Sequence, residues 1–288
     1  MSELDKIINT QEFATLPNVA TRILRLLENI DVDIRELSRI IESDPSLTLK
    51  IIKVANSPLY ASRVEIDSVS KAIQGLGINR VANIVLGISI FSNFMVGTSD
   101  DLEELIEDFW WHSSCTAIVS KSLCTKLKLN FKEREFIGGL LHDIGKLAMI
   151  QYNLEDYLKV KLLVDNGANL LEAEREVFEV DHNQVGTEIA KLWRLPQDLV
   201  DIIQYHYNPT ECEANKELIS LVRLSNIFCE MWGAGFNEGI KELHLEKEDY
   251  WSILVNKDRV ADFDIEKTTF ELEQDFKNTT QFLALVKA

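Results

Sequence analysis

Five histidines occur in the 288-residue chain, at 112, 142, 182, 206 and 244, and one of them is followed directly by an acid: GGLLHDIGKL places His142 beside Asp143. Imidazole nitrogen and carboxylate oxygen together suit iron, manganese or zinc. His112, His142, His182 and His206 fall on separate predicted helices or at their ends, so a shared site has to be assembled by folding. Asp143 is the most demanding of these residues. A carboxylate within FIGGLLHDIGKLAMI is costly to bury unless a metal, a histidine or Lys146 compensates it. Lys146 offers two roles, a purely structural ion pair with Asp143 or a contact to phosphate. His244, in the charged stretch KELHLEKEDY, reads as an ordinary histidine with no ligand role.

Helices must carry these side chains. Apolar residues recur mostly at helical spacing and no segment reads as a convincing strand, which predicts an all-α protein. In NVATRILRLLENI, Val19, Ile23, Leu26, Leu27 and Ile30 share one face and Arg22, Arg25 and Glu28 the other. Asp33 and Glu36 form a capping box ahead of IRELSRIIES, and Asp44 caps the next helix with Pro45 in its first position. A pair of helices broken at Gly75 to Gly77 follows, after a helix end near Asn56 to Pro58. The segment MVGTSDDLEEL marks a seam, where Ser99 or Asp100 caps a long helix through Trp110, Trp111 and His112 to about Leu127. The doublet then lies on a helix over about 132–151, where adjacent side chains point ~100° apart and reach one site only over the helix edge. Trp110, Trp111 and Trp193 are expected near the interface or core, where helix packing is their role. The organisation expected is a helical lobe over 1–98 packed on a histidine-bearing lobe over 99–235, with a helical extension over 236–288 packed on the latter.

Composition narrows the partners. With 46% hydrophobic and 27% charged residues, 12 Gly and 5 Pro, the chain has the balance of a folded globular protein. Lys and Arg number 30 against 47 Asp and Glu, a net charge of -17, which opposes direct nucleic-acid binding because that depends on neutralising phosphates. The lysines of VSKSLCTKLKLNFKER read as a solvated helix face. The N-terminal stretch lacks a signal-peptide pattern and no run of about 18 apolar residues occurs, which predicts a cytoplasmic protein with no membrane partner. Cysteines 115, 124, 212 and 229 form no Cys-x-x-Cys pair and read as buried reduced thiols.

Several motifs follow one another in order. LPNVATRILRLL, IIESDPSLTLKIIKVANSPLY and SVSKAIQGLGINRV are succeeded by WWHSS, FIGGLLHDIGKL, EREVFEVDHNQVGTEIAKLWRLP and IIQYHYNP. In this the chain resembles the HD superfamily, whose metal-dependent phosphohydrolases use a first His, a His-Asp doublet and a later Asp as ligands. More narrowly, it resembles the HDOD proteins, the HD-related output domains of bacterial signalling. The resemblance implies a two-lobed helical HDOD fold, an N-terminal helical bundle packed on an HD-type lobe. It implies His112 as the first histidine and His142 with Asp143 as the doublet. His182 and His206 match further ligands of the related GYP-type cyclic-dinucleotide phosphodiesterases. Two positions depart from the pattern: Tyr207 stands where a second histidine is expected, and Asn226 where the late aspartate is expected. A phenol and a neutral amide should lower metal affinity. NPTECEANKEL replaces the GYP signature, which speaks against cyclic-di-GMP hydrolysis.

The favoured reading is a signal-transduction or regulatory protein acting through contacts with signalling proteins, with a degenerate metal site and no assigned catalytic residue. The alternative is a metal-dependent phosphohydrolase acting on a nucleotide or phosphoester. Its ligands would be His112, His142, Asp143, His182 and His206, with activated water as the nucleophile, Lys146 on phosphate and Asp143 essential. The cofactor is a divalent ion, Fe, Mn or Zn, or there is none. Oligomeric state is not legible.

Overall fold

In the computed structural model, every regular element among the described residues is helical. The structure describes residues 2–9, 16–27, 33–56, 60, 65–94, 100–236, 238, 239, 245, 248–255 and 265–277. A short α1 (Glu3–Ile8) is followed by α2 (Asn18–Leu27), α3 (Ile34–Glu42), α4 (Pro45–Ala55), α5 (Val69–Leu76) and α6 (Ile78–Phe94). Then come α7 (Asp100–Lys126), α8 (Arg134–Leu141), α9 (Ile144–Tyr152), α10 (Leu154–Asp165) and α11 (Leu170–Phe178). The chain continues through α12 (His182–Leu192), α13 (Gln197–Tyr205), a 3-10 turn (Pro209–Glu211), α14 (Lys216–Met231), α15 (Asp249–Leu254) and α16 (Ile265–Lys277). These elements fall into two compact units: Leu16–Val96 forms one, and Met1–Thr15 with Gly97–Phe276 forms the other.

In the first unit the local sequence signals act largely as read. Of the face expected for α2, Ile23 and Leu26 are buried and Val19 is partly buried, with Ala20 and Leu24 also buried, while Arg22 and Arg25 are exposed. Asp33 caps α3 by accepting from the Arg35 N–H at 2.8 Å, and the expected reciprocal bond from Glu36 is replaced by this simpler cap. Asp44 accepts from the N–H groups of Ser46 and Leu47, with Pro45 supplying a fixed φ where no N–H is needed. Asn56 ends α4 and pins the return of the chain, donating to the Ile66 carbonyl at 2.6 Å and accepting from its N–H at 2.8 Å. Gly77, at φ +88°, lets α5 stop and α6 begin without a gap, a conformation that costs other residues a Cβ clash. Glu28, Ile30, Pro58 and Ser99, used in the sequence reading, lie outside the described residues, as does His244.

The second unit is built around α7. It packs on α8, α9 and α14, while α12 packs on α9 and α13, and α1 lies against α9 and α12. Cys115, Val119 and Leu123 of α7 share a core with Leu221, Leu224 and Phe228 of α14, closed by Tyr250 and Leu254 of α15 and Leu272 and Phe276 of α16. All four cysteines are free and buried. Among the described residues no helix is long and apolar enough to cross a membrane.

Candidate metal centre

The doublet does not lie on one helix. The helix expected over 132–151 is interrupted at His142 and Asp143, which form the turn between α8 and α9, with Asp143 at φ -101° and ψ 14°. The break removes the ~100° divergence that a continuous helix imposes on neighbours. Both side chains therefore face one centre.

Two glycines beside the doublet let the partner helices come close. A Cβ on Gly139 would lie 2.7 Å from the Ala117 Cα of α7, and one on Gly145 would collide with the His182 carbonyl of α12. The first contact brings in His112, the second His182. His206 arrives at the C-terminus of α13, its backbone N–H donating to the Ile202 carbonyl.

All five proposed ligands converge. His112 Nε2 and His142 Nε2 stand 3.6 and 3.4 Å from Asp143 Oδ2, and His182 Nε2 and His206 Nε2 each stand 3.4 Å from Asp143 Oδ1. The ligand atoms form two triads, His112/His142/Asp143 and Asp143/His182/His206, each with its atoms within 4.8 Å of one another. Asp143 is common to both triads, and either could hold a divalent ion. All five residues are fully buried.

The far side of each ring fixes its proton. His112 Nδ1 lies 2.6 Å from the Ala234 carbonyl, His142 Nδ1 lies 2.9 Å from that of Gly139, and His206 Nδ1 faces the Ile202 and Ile203 carbonyls. His182 Nδ1 lies 2.7 Å from Glu174 Oε2, which also accepts the His182 backbone N–H. Each Nδ1 faces only acceptors, so in a neutral ring it carries the hydrogen and Nε2 turns a lone pair inward. None of the four Nε2 atoms completes a hydrogen bond, and neither does Asp143 Oδ1. Buried lone pairs gathered around a carboxylate repel one another unless a cation lies among them. The donor set therefore fits a divalent ion.

Electrostatics agree for three of the four rings, while His182 holds a proton that an ion would have to displace. Burial holds His112, His142 and His206 below the usual imidazole range, His142 down to about 3. For His182 burial acts in the same direction but is outweighed by Glu174 and Asp143, which bring it up to about 9. Burial would raise Asp143; the surrounding His142, Lys146, His182 and His206 instead keep it well below the carboxylate range. Lys146 Nζ donates to Asp143 Oδ2 at 2.6 Å from a fully buried position.

The two departures from the family pattern sit at the margin. The Tyr207 ring lies against His206 at 4.7 Å and His182 at 5.4 Å between centroids, beneath the Arg223 guanidinium at 4.3 Å. Burial, reinforced by Glu238, raises its phenol far above the ordinary value, so it stays neutral. Asn226 donates at 2.7 Å to Glu238 Oε1.

Glu174 and Glu238 were missed in the sequence. Glu174 had a signal, since it shares the buried face of α11 with Leu170, Ala173 and Phe178, where an acid needs a partner. Glu238 had none. It comes from the segment after α14, where Phe236 also stacks near the His112 ring, 6.3 Å between centroids.

Comparison with known proteins adds a frame. The HDOD domain family matches residues 13–209. An HDOD domain protein of unknown function from Geobacter sulfurreducens superposes with a TM-score of 0.76 at 26% identity, covering 94% of this chain and 91% of that one. A proposed phosphohydrolase from Shewanella amazonensis SB2B superposes at 0.72 with 20% identity, covering 97% of both chains, a likeness of fold. A protein of Treponema pallidum (strain Nichols) with no assigned function is 23% identical over 222 residues, 74% of this chain. The chain spans 41% of the length of that curated relative.

Proposed function

Because the chain belongs to the HDOD family, we propose that it is a regulatory protein of signal transduction, acting through contacts with other proteins, whose HD-type metal centre serves structure rather than turnover. The observation that carries this reading is burial: His112, His142, Asp143, Lys146, His182 and His206 are each 0% exposed. A phosphoester must touch the reacting centre to be cleaved. Here Phe236 and Glu238 pack on the side of the centre that Lys146 faces, with the Lys146 ammonium 6.0 Å from the Phe236 ring centroid. A divalent ion held by His112, His142 and Asp143 would tie α7 to the α8–α9 turn, and one held by Asp143, His182 and His206 would tie that turn to α12 and α13. The replacement of the late aspartate by Asn226 and of the second histidine by Tyr207 fits a centre no longer selected for catalysis.

A second reading is favoured by one observation, the pairing of Lys146 with Asp143 directly beside the four inward Nε2 atoms. This is the arrangement a metal-dependent phosphohydrolase needs, with the ion supplying Lewis acidity and Lys146 holding phosphate.

One experiment separates them. Elemental analysis of the purified full chain and of His142→Ala is combined with hydrolysis of a generic phosphodiester, bis(p-nitrophenyl) phosphate. The regulatory reading expects metal in the parent, loss of metal and of thermal stability in the variant, and hydrolysis in neither. Turnover by the parent that disappears in the variant would establish the enzyme instead.

A further inference from the structure

Beside α12 the second unit opens into a cleft of about 380 Å³, a size at which small-molecule sites are found. It is lined by α11, α12, α13 and the turn that follows, with Leu4 of α1 on one side. That side is fastened in place: α1 lies against α9 and α12, and the Tyr152 hydroxyl donates to Glu3 Oε1 at 2.7 Å. Cleft and metal centre have Tyr207 in common, since it lines the cleft while its ring lies against His182 and His206.

The charges of the lining are met by one another. Arg175 donates from Nε and Nη2 to Asp181 Oδ2, and Lys191 donates to Glu188 Oε1 at 2.8 Å. Both cations therefore have an acid at hand, and Glu211 adds a further negative charge, so an anion gains no net attraction here. What remains is uncharged hydrogen-bonding capacity. Asn183, Gln184, Gln204 and Asn208 bring four carboxamides, each with a donor and an acceptor side by side. Asn183 Oδ1 and the Tyr207 hydroxyl are buried without a hydrogen-bond partner, a cost that a ligand hydroxyl would relieve. Flat apolar surface is scarce: the Tyr207 ring is already covered by Arg223 and His206, which leaves Tyr205 for an aromatic ligand to lie against.

We propose that this cleft binds an uncharged polyhydroxylated compound of the sugar or polyol class. A hydroxyl donates and accepts through one atom, which suits carboxamides that present both functions together. Gln204 and Asn183 meet adjacent hydroxyls, the Tyr207 phenol meets another, and Leu4 and Leu171 receive the C–H surface between them. The inference goes beyond the regulatory role proposed above and rests neither on that role nor on a bound ion.

The test is saturation-transfer NMR on the full chain as purified, with glucose, myo-inositol and sorbitol as probes and adenosine as the planar contrast. Saturable transfer to at least one of the three polyols is expected, stronger than to adenosine. Preference for glucose or myo-inositol assigns a ring, and preference for sorbitol an open chain. Gln204→Leu removes a partly buried carboxamide at similar size, and Tyr207→Phe removes only the unpartnered hydroxyl. Each is expected to weaken polyol binding about tenfold, the worth of one hydrogen bond. Tyr207→Phe is also expected to melt no lower than the parent, because an unpaired buried hydroxyl is lost; a lost signal then reports binding and not unfolding. If it does melt lower, the exposed Asn208→Ala takes its place with the same expectation for binding. The proposal is overturned if none of the three polyols shows saturable transfer, if adenosine binds more tightly than all of them, or if the variants bind as the parent does.

Discussion

Among the described residues of 16–96, Asn83 is the single buried polar side chain, whereas between 112 and 226 the core takes in four histidines, Asp143, Lys146, Glu174 and Asn226. Both units are helical and both have apolar faces at helical spacing. The difference lies in what holds them. The first gains stability from apolar surface removed from water, a term that is non-directional and tolerant of small changes. The second keeps ionisable groups away from water, which is sustainable only while each group has its partner. Among the described residues, the buried polar centre lies in the second unit.

The sharpest way to break this contrast is at its charge. Asp143→Ala strands the buried Lys146 ammonium and is expected to cost about 3–5 kcal/mol in denaturant unfolding. Asp143→Asn, which retains a hydrogen-bond acceptor, is expected to cost less. A loss for Asp143→Ala of under about 1 kcal/mol would show the centre to be less coupled than its geometry implies.

In the first unit the largest effect should come from packing alone. Ile51→Ala, at 0% exposure, is expected to cost about 2–5 kcal/mol while leaving metal content at the parent level. A fall in bound metal would join the two units energetically and blur the distinction.

Acid discriminates them next. Residues 16–96 contain no histidine. His112, His142 and His206 have depressed values in the fold, so their contribution is complete above the unfolded imidazole value of about 6.5 and is lost as pH falls. His182 has the opposite sign: raised to about 9, its contribution is complete below about 6.5 and is lost as pH rises through 9. The metal-free chain is expected to lose stability from about pH 7 to pH 5, and His182→Gln to remove part of the decline between about pH 7 and pH 9. Melting curves across pH check both arms; a flat profile would mean that these rings are not held as described.

Gly139→Ala adds one carbon where the Ala117 backbone is 2.7 Å away, and is expected to cost about 1–3 kcal/mol together with metal occupancy. The smallest effect lies in a cap of the first unit. Asp44→Ala removes the acceptor for two N–H groups of α4 and should cost about 1 kcal/mol, with no change in metal content.

Much of this contrast was legible from residues. The caps at Asp33 and Asp44, the stop at Gly77 and the buried face of α2 are local, decided by groups within a few positions of one another. The five candidate ligands were legible too, by resemblance, as were the departures at Tyr207 and Asn226. Three features were not. The helix break at the doublet is invisible because IGGLLHDIGKLAM is apolar enough to propagate a helix, and packing of α7 and α12 against Gly139 and Gly145 accompanies the interruption. The division of the ligands into two triads depends on which Asp143 oxygen each ring meets, a matter of ångströms between separate helices. Glu238 is twelve residues beyond Asn226, with no periodicity to link them.

The sequence by itself determined an all-α chain, the family pattern, and the kinds of donor available for a metal, because propensity, capping and residue chemistry act over short distances. Only the tertiary structure decided that four inward Nε2 atoms share Asp143, that Lys146 is sealed beside it, and that Glu238 supplies a carboxylate next to Asn226. Those outcomes rest on long-range packing and on removal of charge from water, and both are properties of the assembled core.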